Sequence, residues 1–282
     1  MSIESIIEVA NGISKDNISE NKYLDTLRVC LEPYIYHHLI ATYSKPLSDI
    51  WLNYIPPNES KYAYVIVERR CHPNFEFILQ SMAWANPRMS VYIFCSKENI
   101  NFITALLGPK LPHFNIIQIF NDNVSREQGK QEYNNILTSK DFYNQIKSEY
   151  ILTIQMDVII RQPIPESIFC GDYWGSPWGW KQHLPGGGGS TIRKISTMRS
   201  ICREVYEPDI DIAEDDWICT KIMNNPIYSF PNIVFRSNTI MENMPTNNPI
   251  LLHQFWTFFS AYSTMNKADI IKYWKQLLTL TI

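Results

Sequence analysis

Residues 150–157 read Tyr-Ile-Leu-Thr-Ile-Gln-Met-Asp, and this stretch decides the fold. Its apolar, β-branched beginning is typical of a buried strand in a parallel sheet. The run stops abruptly at Gln155-Met156-Asp157, so the strand would deliver a carboxylate to its C-terminal end. Open α/β sheets bind their ligands at that edge. We therefore predict that Asp157 lies in a ligand-binding crevice.

Strand-like and helix-like patterns alternate before this stretch. Apolar runs predict strands at residues 62–67, 91–95 and 114–120, with 150–154 as the next strand. Helical spacing predicts helices at 75–84, after the start signal Pro73-Asn74, and at 99–107, 133–138 and 142–146. Such alternation favours right-handed βαβ units. The predicted fold class is α/β, with a mostly parallel central sheet flanked by helices.

Helical patterns also occur at both ends of the chain. Residues 1–57 are predicted to form a helical extension, in which Pro33 forces a break. The main domain is predicted to span residues 58–265, and residues 266–282 to form a C-terminal helix packed on it. An apolar stripe defines that last helix, and it consists of Ile270, Ile271, Trp274, Leu277 and Leu278.

Composition excludes several classes of protein. The 282 residues are 45% hydrophobic, which is enough to build a sizeable core. The 25 basic and 28 acidic residues leave a net charge of -3 without long blocks of either sign. A nucleic-acid partner is therefore not expected.

The cysteines and the N-terminus indicate a cytoplasmic protein. The six cysteines are scattered without a Cys-x-x-Cys pair, which argues against a zinc ribbon and a disulfide framework. The N-terminus lacks a basic region followed by an apolar core, so no signal peptide is expected. The aromatic-rich segment 250–262 is shorter than the ~20 residues of a membrane-spanning helix, so no transmembrane segment is expected.

Asp157 is the first candidate for chemistry. A nucleotide-sugar donor carries a diphosphate leaving group, and a Mg²⁺ or Mn²⁺ ion held by carboxylates neutralises its charge. The alternative is an aspartate that caps the next turn. Gln155 shares a strand face with Asp157 and could bind a ribose hydroxyl, or it could be a solvated polar residue.

A second acidic cluster, Glu214-Asp215-Asp216, precedes a helical stripe and is predicted to lie in the first turn of a helix. Acidic residues are favoured there by the helix dipole alone. The functional alternative is a general base that removes a proton from an acceptor hydroxyl. Only one of the three carboxylates is needed for that role.

Three further features have both a functional and a structural interpretation. Trp178 and Trp180 could offer flat faces to a sugar or could be core residues. The glycines at 186–189 could let the backbone approach a sugar or phosphate closely, or form a flexible loop tip. His253 is the best histidine candidate for a metal ligand, although a buried, hydrogen-bonded histidine is the common alternative.

The order of these motifs resembles a family of glycosyltransferase-like proteins, catalogued as a domain of unknown function and found in bacteria, eukaryotes and large DNA viruses. The resemblance covers about residues 62–256 and leaves the N-terminal helices outside. The matching segments are residues 65–74, 133–139, 142–143, 154–157, 172–178 and 187–193, with Glu214-Asp215 and His253. The resemblance implies a GT-A fold with a Rossmann-like nucleotide half, an Asp-x-Asp-type metal motif and an acceptor half with an acidic catalytic residue.

Residue roles follow from this resemblance. It implies Asp157 and His253 as ligands of Mn²⁺ or Mg²⁺, with Gln155 in place of the first acid of the metal motif. It implies Asp215 as the catalytic base, with Glu214 beside it, and inversion at the anomeric carbon. The residues expected to contact the donor, a UDP-sugar, are Glu68, Arg69, Asn134, Ser139, Gln155, Trp178, Gly188, Gly189 and Arg193.

The predicted function is transfer of a sugar from a nucleotide-sugar donor, UDP-linked, to a glycan or other hydroxyl acceptor. One alternative is a non-catalytic carbohydrate-binding module or degenerate transferase. Another is a sugar-phosphate nucleotidyltransferase, which would need a glycine-rich, basic loop after the first strand. Glu68-Arg69-Arg70-Cys71-His72 supplies the basic residues but no glycine.

Overall fold

The computed structural model describes residues 1–13, 19–120, 126–203, 212–262 and 265–282. Ten α-helices lie in these segments: α1 Ile3–Gly12, α2 Glu20–Asn53, α3 Phe75–Ala85, α4 Ile100–Leu107, α5 Arg126–Leu137, α6 Lys140–Asn144, α7 Ile195–Ile201, α8 Glu214–Met223, α9 Ile233–Thr239 and α10 Lys267–Leu277. Nine strands accompany them: β1 Tyr62–Val67, β2 Ser90–Ser96, β3 Asn115–Phe120, β4 Tyr150–Thr153, β5 Val158–Ile160, β6 Tyr173–Ser176, β7 Gly187–Lys194, β8 Ile240–Met241 and β9 Leu251–His253. Short 3-10 segments occur at Gly108–His113, Glu166–Ile168 and Phe255–Tyr262.

The central sheet has six strands in the order β3-β2-β1-β4-β7-β6. β1, β2, β3 and β4 pair in parallel, and β7 runs antiparallel to both β4 and β6. Helices cover both faces, and each face has its own cluster of buried apolar side chains. The predicted α/β class with a mostly parallel sheet is confirmed, because four of the six strands pair in parallel and helices cover both faces.

A second sheet of three short strands, in the order β5-β9-β8, lies next to the end of β4. β5 follows β4 after a tight turn in which the Val158 amide donates to the Gln155 carbonyl at 3.2 Å. β5 and β9 are antiparallel, and their register places Val158 opposite His253. This pairing brings His253, at the end of β9, back to the turn that carries Asp157.

The N-terminal helix α2 differs from its prediction. It is one continuous helix with Pro33 and Pro46 inside it, so the predicted break at Pro33 is wrong. Proline removes one backbone hydrogen bond and usually kinks a helix. Here the fully buried residues Leu31 and Ile35 flank Pro33 on one apolar stripe, and packing of that stripe keeps the helix together.

The C-terminal helix α10 packs against α1 and the core. Trp274 is fully buried, with its ring centroid 5.0 Å from that of Phe255. Lys275 and Glu4 form an ion pair between α10 and α1, with Nζ and Oε1 2.5 Å apart. Within the described segments, no helix has the length and apolar character that crossing a membrane requires.

Candidate active site

The site lies at the carboxyl edge of the parallel strands, where five segments meet. β4 ends there and leads into the turn that carries Gln155 and Asp157. β7 runs antiparallel to β4, so its first residues lie at the same edge. The end of β9 contributes His253, the residue after β8 is Glu242, and α8 begins with Glu214.

Asp157 is held on both carboxylate oxygens. Gln254 donates from Nε2 to Oδ2, while Oδ1 lies 3.4 Å from Nε2 of His253. Burial would raise the pKa of Asp157, but the nearby charge of His253 and the hydrogen bond from Gln254 lower it to about 2. Gln254 has a φ of 44°, a left-handed conformation that side-chain-bearing residues rarely adopt and that often marks functional sites.

His253 lies between two carboxylates. Its Nδ1 is 3.1 Å from Oε1 of Glu242, and the Gly189 amide also points at Nδ1 from 3.1 Å. The two contacts exclude each other, because a ring nitrogen either carries a hydrogen or accepts one. We favour the Glu242 contact, since a charged acceptor forms the stronger hydrogen bond. Burial opposes the charge of His253, yet Glu242 and Asp157 raise its pKa to about 10.

These residues fit a divalent cation. Nε2 of His253, Oδ1 of Asp157 and Oε2 of Glu242 are buried without a hydrogen-bond partner among the described residues. The 3.4 Å between Nε2 and Oδ1 suits two ligands of one ion, since each ligand atom lies at about 2.1 Å from the metal. In the described part of the chain, no group of three or more His, Cys, Asp and Glu is arranged to hold a metal. The protein therefore offers a pair of ligands, with Glu242 on the far side of the imidazole.

The glycine run forms the start of β7 and the floor of the site. A Cβ atom on Gly187 would overlap Asp215, and one on Gly189 would overlap His253. A Cβ on Gly188, which has a φ of 90°, would lie 2.6 Å from Oε2 of Glu242. The interpretation as a flexible loop tip is wrong, because these glycines are strand residues that leave room for the acidic side chains.

Asp215 lies across the glycine strand from His253. Its Oδ2 accepts a hydrogen bond from the Gly188 amide at 3.2 Å, and its Oδ1 accepts one from the Asp216 amide at 2.9 Å. Burial raises the pKa of Asp215 despite these two hydrogen bonds. The prediction that the acidic cluster opens a helix is confirmed, because Glu214, Asp215 and Asp216 form the first turn of α8.

Glu214 points away from the glycines into the core, where it meets Arg193. Nη2 of Arg193 donates to Oε1 of Glu214 at 3.2 Å, and both side chains are buried. Arg193 also donates to the hydroxyls of Thr191 and Tyr143, each at 2.8 Å. Burial and the neighbouring charge of Asp215 raise the pKa of Glu214 to about 7, because together they outweigh the charge and hydrogen bond of Arg193.

Gln155 and the tryptophans complete the surroundings. The backbone N–H of Gln155 donates to the Gly189 carbonyl at 2.9 Å, and the side-chain Nε2 of Gln155 donates to the Tyr133 hydroxyl at 2.9 Å. Trp178 is buried beside Gly187, where its ring fills space left by the glycine. Trp180 is 65% exposed, so its ring faces solvent.

The segment after β1 contributes charges. Glu68 is buried and forms a two-pronged ion pair with the exposed Arg70, at 2.8 Å and 2.7 Å. The hydrogen bond with Glu68 raises the pKa of Arg70, and the charge of Asp157 raises it further. The Arg70 guanidinium therefore lies within electrostatic range of Asp157. Arg69 instead lies under α5, where its Nη1 is 3.8 Å from Glu132.

Asn134 and Ser139 lie farther along α5 and at the start of α6. Asn134 is buried, and its carbonyl accepts a hydrogen bond from the Thr138 hydroxyl at 2.9 Å. Ser139 caps α6 and lines a cavity of about 380 Å³ together with Asn135 and Phe142. None of the hydrogen bonds described for these two residues joins them to Asp157, His253 or Asp215.

Glu242, Gln254 and Tyr133 are members of the site that the sequence analysis did not single out. Glu242 lies in the segment Met241-Glu242-Asn243-Met244, where no periodic pattern marks it. Gln254 follows His253 directly, and the polar pair in an apolar stretch was the available signal. Tyr133 was quoted only as part of a longer matching segment.

Comparisons with known proteins give a family match and structural neighbours. Residues 115–253 match the family model described as "Protein of unknown function (DUF5672)". The matched segment includes Asp157, Asp215, Glu242 and His253, and it excludes α1, α2 and α3. No curated protein matches the chain.

Three solved structures illustrate the neighbours. The glycosyltransferase GlyE of Streptococcus pneumoniae is similar at 11% identity and a TM-score of 0.48, over 79% of this chain and 65% of that one. A candidate nucleotide-diphospho-sugar transferase of Desulfovibrio desulfuricans is similar at 12% identity and a TM-score of 0.35, over 73% and 96%. A cytidylyltransferase of Leptospira borgpetersenii is similar at 15% identity and a TM-score of 0.37, over 79% and 98%. The chain thus spans 65% of the GlyE structure, and it is similar in fold to transferases that differ in chemistry.

Proposed function

We propose that this protein transfers a sugar from a nucleotide-sugar donor, UDP-linked, to a hydroxyl group of a glycan or similar acceptor. One observation carries the proposal. Asp215, a half-buried carboxylate, and the His253–Asp157 pair, whose facing atoms have no hydrogen-bond partner among the described residues, both lie at the glycine-rich start of β7. This arrangement offers a cation site for a leaving group and a base for a nucleophile around one open floor.

The donor side of the site consists of Asp157 and His253, which would hold Mn²⁺ or Mg²⁺. When bound, the cation supplies positive charge that stabilises the departing diphosphate. Glu242 would orient the imidazole by accepting a hydrogen bond from Nδ1, and a bound cation would take the place of the proton on Nε2. Arg70, exposed and in electrostatic range of Asp157, would add a second positive charge for the phosphates.

The acceptor side of the site is Asp215. Its carboxylate would take the proton of the acceptor hydroxyl while that oxygen forms a bond to the anomeric carbon. The bond between the anomeric carbon and the diphosphate oxygen breaks in the same step, and the nucleoside diphosphate leaves with the electron pair. Because the acceptor oxygen attacks from the side opposite the leaving group, the configuration at the anomeric carbon would be inverted. Trp180, exposed next to Trp178, would offer its ring to the acceptor sugar.

The other predicted donor contacts remain predictions. Some of them lie at the glycine strand, and others lie farther from Asp157 and Asp215. Gln155, Gly188 and Gly189 lie at the floor and could meet the donor directly. Arg193 would act through Glu214, because its guanidinium is buried and donates to protein groups. Glu68 would act through Arg70, while Arg69, Asn134 and Ser139 would have to bind the nucleotide from the α5 side.

The test is release of UDP from a panel of UDP-sugars, measured with and without Mn²⁺ in the absence of acceptor. We expect slow hydrolysis of one donor that requires Mn²⁺, because water can replace the acceptor hydroxyl. Titration calorimetry with UDP and Mn²⁺ runs beside it. If no donor is hydrolysed and UDP does not bind, while an oligosaccharide does bind, the protein is a carbohydrate-binding module and the proposal is wrong.

A further inference from the structure

The turn that carries Asp157 is held from below by two buried side chains. The carbonyl before Asp157, that of Met156, accepts a hydrogen bond from Nδ2 of Asn74 at 2.9 Å. The carbonyl after it, that of Val158, accepts one from the Tyr36 hydroxyl at 3.0 Å. Asn74 is 5% exposed and Tyr36 is 2% exposed. The peptide group before Asp157 and the peptide group after Val158 are therefore each held by a donor shielded from water.

Asn74 binds the turn that carries Asp157 instead of capping its own helix. It occupies the N-cap position of α3, where an asparagine side chain normally accepts a hydrogen bond from the helix backbone. No such capping bond is present, and the amide donates instead to Met156 and to Oε1 of Glu32, at 3.1 Å. The side chain is thus oriented by the turn and by α2 rather than by its own helix.

Glu32 and Tyr36 lie four residues apart on α2, so both face the same side of the helix. Glu32 is close enough to Asp157 that the charge of Asp157, after burial, contributes to raising the pKa of Glu32 to about 7. One turn of α2 therefore contacts the Asp157 turn directly through Tyr36 and indirectly through Glu32 and Asn74. α2 lies outside the segment that matches the family model.

We propose that α2 is a positioning element of the active site, in which Tyr36 and the Glu32–Asn74 pair fix the peptide groups around Asp157. The inference rests on the proposed function, since it gives Asp157 a ligand to hold. Fixed peptide groups keep Oδ1 of Asp157 at its short distance from Nε2 of His253, with less freedom to lose when a cation binds. The N-terminal helix then does more than cover the core.

The experiment compares two substitutions on the same helix. Tyr36→Phe removes the hydroxyl that donates to Val158 and keeps the ring. Tyr43→Phe is the matched control, because the Tyr43 hydroxyl accepts a hydrogen bond from the Leu280 amide at 3.2 Å, at the C-terminal end of the chain. Both variants lose one hydroxyl from α2, and thermal unfolding measures the cost of that loss in each.

Two readouts separate positioning from general stability. Hydrogen exchange followed by mass spectrometry reports on the peptide around Asp157, and titration with Mn²⁺ alone reports on the affinity. We expect Tyr36→Phe to speed exchange at residues 155–159 and to weaken Mn²⁺ binding about tenfold, as for other outer-shell partners. Tyr43→Phe should leave both unchanged.

The other possible outcomes would contradict either the inference about α2 or the proposed function. Unchanged exchange in Tyr36→Phe, or Mn²⁺ affinity equal to that of Tyr43→Phe, would overturn the inference. If the wild-type protein binds no Mn²⁺, the proposed metal site is wrong, and exchange around Asp157 alone then shows whether α2 positions the turn. Failure of the proposed function is thus visible in the wild type, and failure of the inference in the variant.

Discussion

The two acidic centres at the glycine strand carry carboxylates whose pKa values shift in opposite directions. Asp157 has a pKa lowered to about 2, and Glu214 has a pKa raised to about 7. Each carboxylate has a cationic partner, His253 at 3.4 Å and Arg193 at 3.2 Å. Burial and a nearby cation therefore do not by themselves decide whether the pKa of a carboxylate is raised or lowered.

The difference lies in the hydrogen bonds and in the charge next to each carboxylate. Asp157 also accepts a hydrogen bond from Gln254, which favours its charged form. Burial and the neighbouring charge of Asp215 raise the pKa of Glu214 and outweigh Arg193. One centre thus keeps a negative charge, suited to a cation, and in the other Glu214 binds and releases a proton near neutral pH beside Asp215.

The largest effect is expected from Asp157→Asn, which removes the permanent charge. Turnover should fall on the order of a thousandfold, about 4 kcal/mol, because the leaving group loses its electrostatic stabilisation. The measurement is UDP release with saturating Mn²⁺ and donor. Asp49→Asn on the exposed face of α2 is the control, since that carboxylate pairs only with Lys45 at the surface. Near-normal turnover in Asp157→Asn would exclude Asp157 from the donor side.

Asp215→Asn should have the next largest effect. Loss of a general base typically lowers turnover by about a hundredfold or more, while donor affinity stays close to that of the wild type. Asp216→Asn is a matched neighbour, because Asp216 instead pairs with Lys181 at 2.8 Å and is half-exposed. Equal losses in the two variants would show that the first turn of α8 matters only as a whole.

Glu214→Gln tests the proton-binding centre through stability. The pKa of Glu214 is raised from 4.5 to about 7, so the folded state binds the proton more tightly than the unfolded state does. The stabilisation is complete below about pH 4.5 and is lost as pH rises through about 7, by up to about 3 kcal/mol. Urea unfolding at pH 5 and pH 8 should show this loss in the wild type and a smaller one in Glu214→Gln. An equal loss in both proteins would assign the proton to another group.

Glu242→Gln should have the smallest effect and sharpens the metal side of the comparison. A glutamine keeps an oxygen for Nδ1 of His253 but loses the charge, so Mn²⁺ affinity should fall about tenfold. Calorimetry measures the affinity, and Glu59→Gln, whose carboxylate is exposed and pairs with Lys147, is the control. A complete loss of Mn²⁺ binding would instead make Glu242 a direct ligand.

Local patterns in the sequence predicted much of the architecture and where two acidic segments of the candidate site lie in it. The strand predicted at residues 62–67 is β1 Tyr62–Val67, and the helix predicted at 75–84 is α3 Phe75–Ala85. Asp157 at the end of a strand and the acidic cluster at the start of α8 are also as predicted. These features depend on periodicity, caps and strand length, which neighbouring residues determine.

The partners of these residues came only from the tertiary structure. Glu242 has no distinguishing local pattern, and it meets His253 because β8 and β9 pair in parallel. The break predicted at Pro33 failed because packing of the Leu31–Ile35 face outweighs the lost backbone hydrogen bond. Neither effect can be read from residues within one turn or one strand.

The sequence by itself determined the order of strands and helices and the two acidic positions that bracket the glycine run. The tertiary structure decided which charged groups each acid meets. It therefore decided that the pKa of Asp157 is lowered to about 2 and that of Glu214 is raised to about 7. The reason is that secondary structure follows from short-range sterics and periodic burial. A pKa depends on every charge within a few ångströms, and only the folded chain brings those charges together.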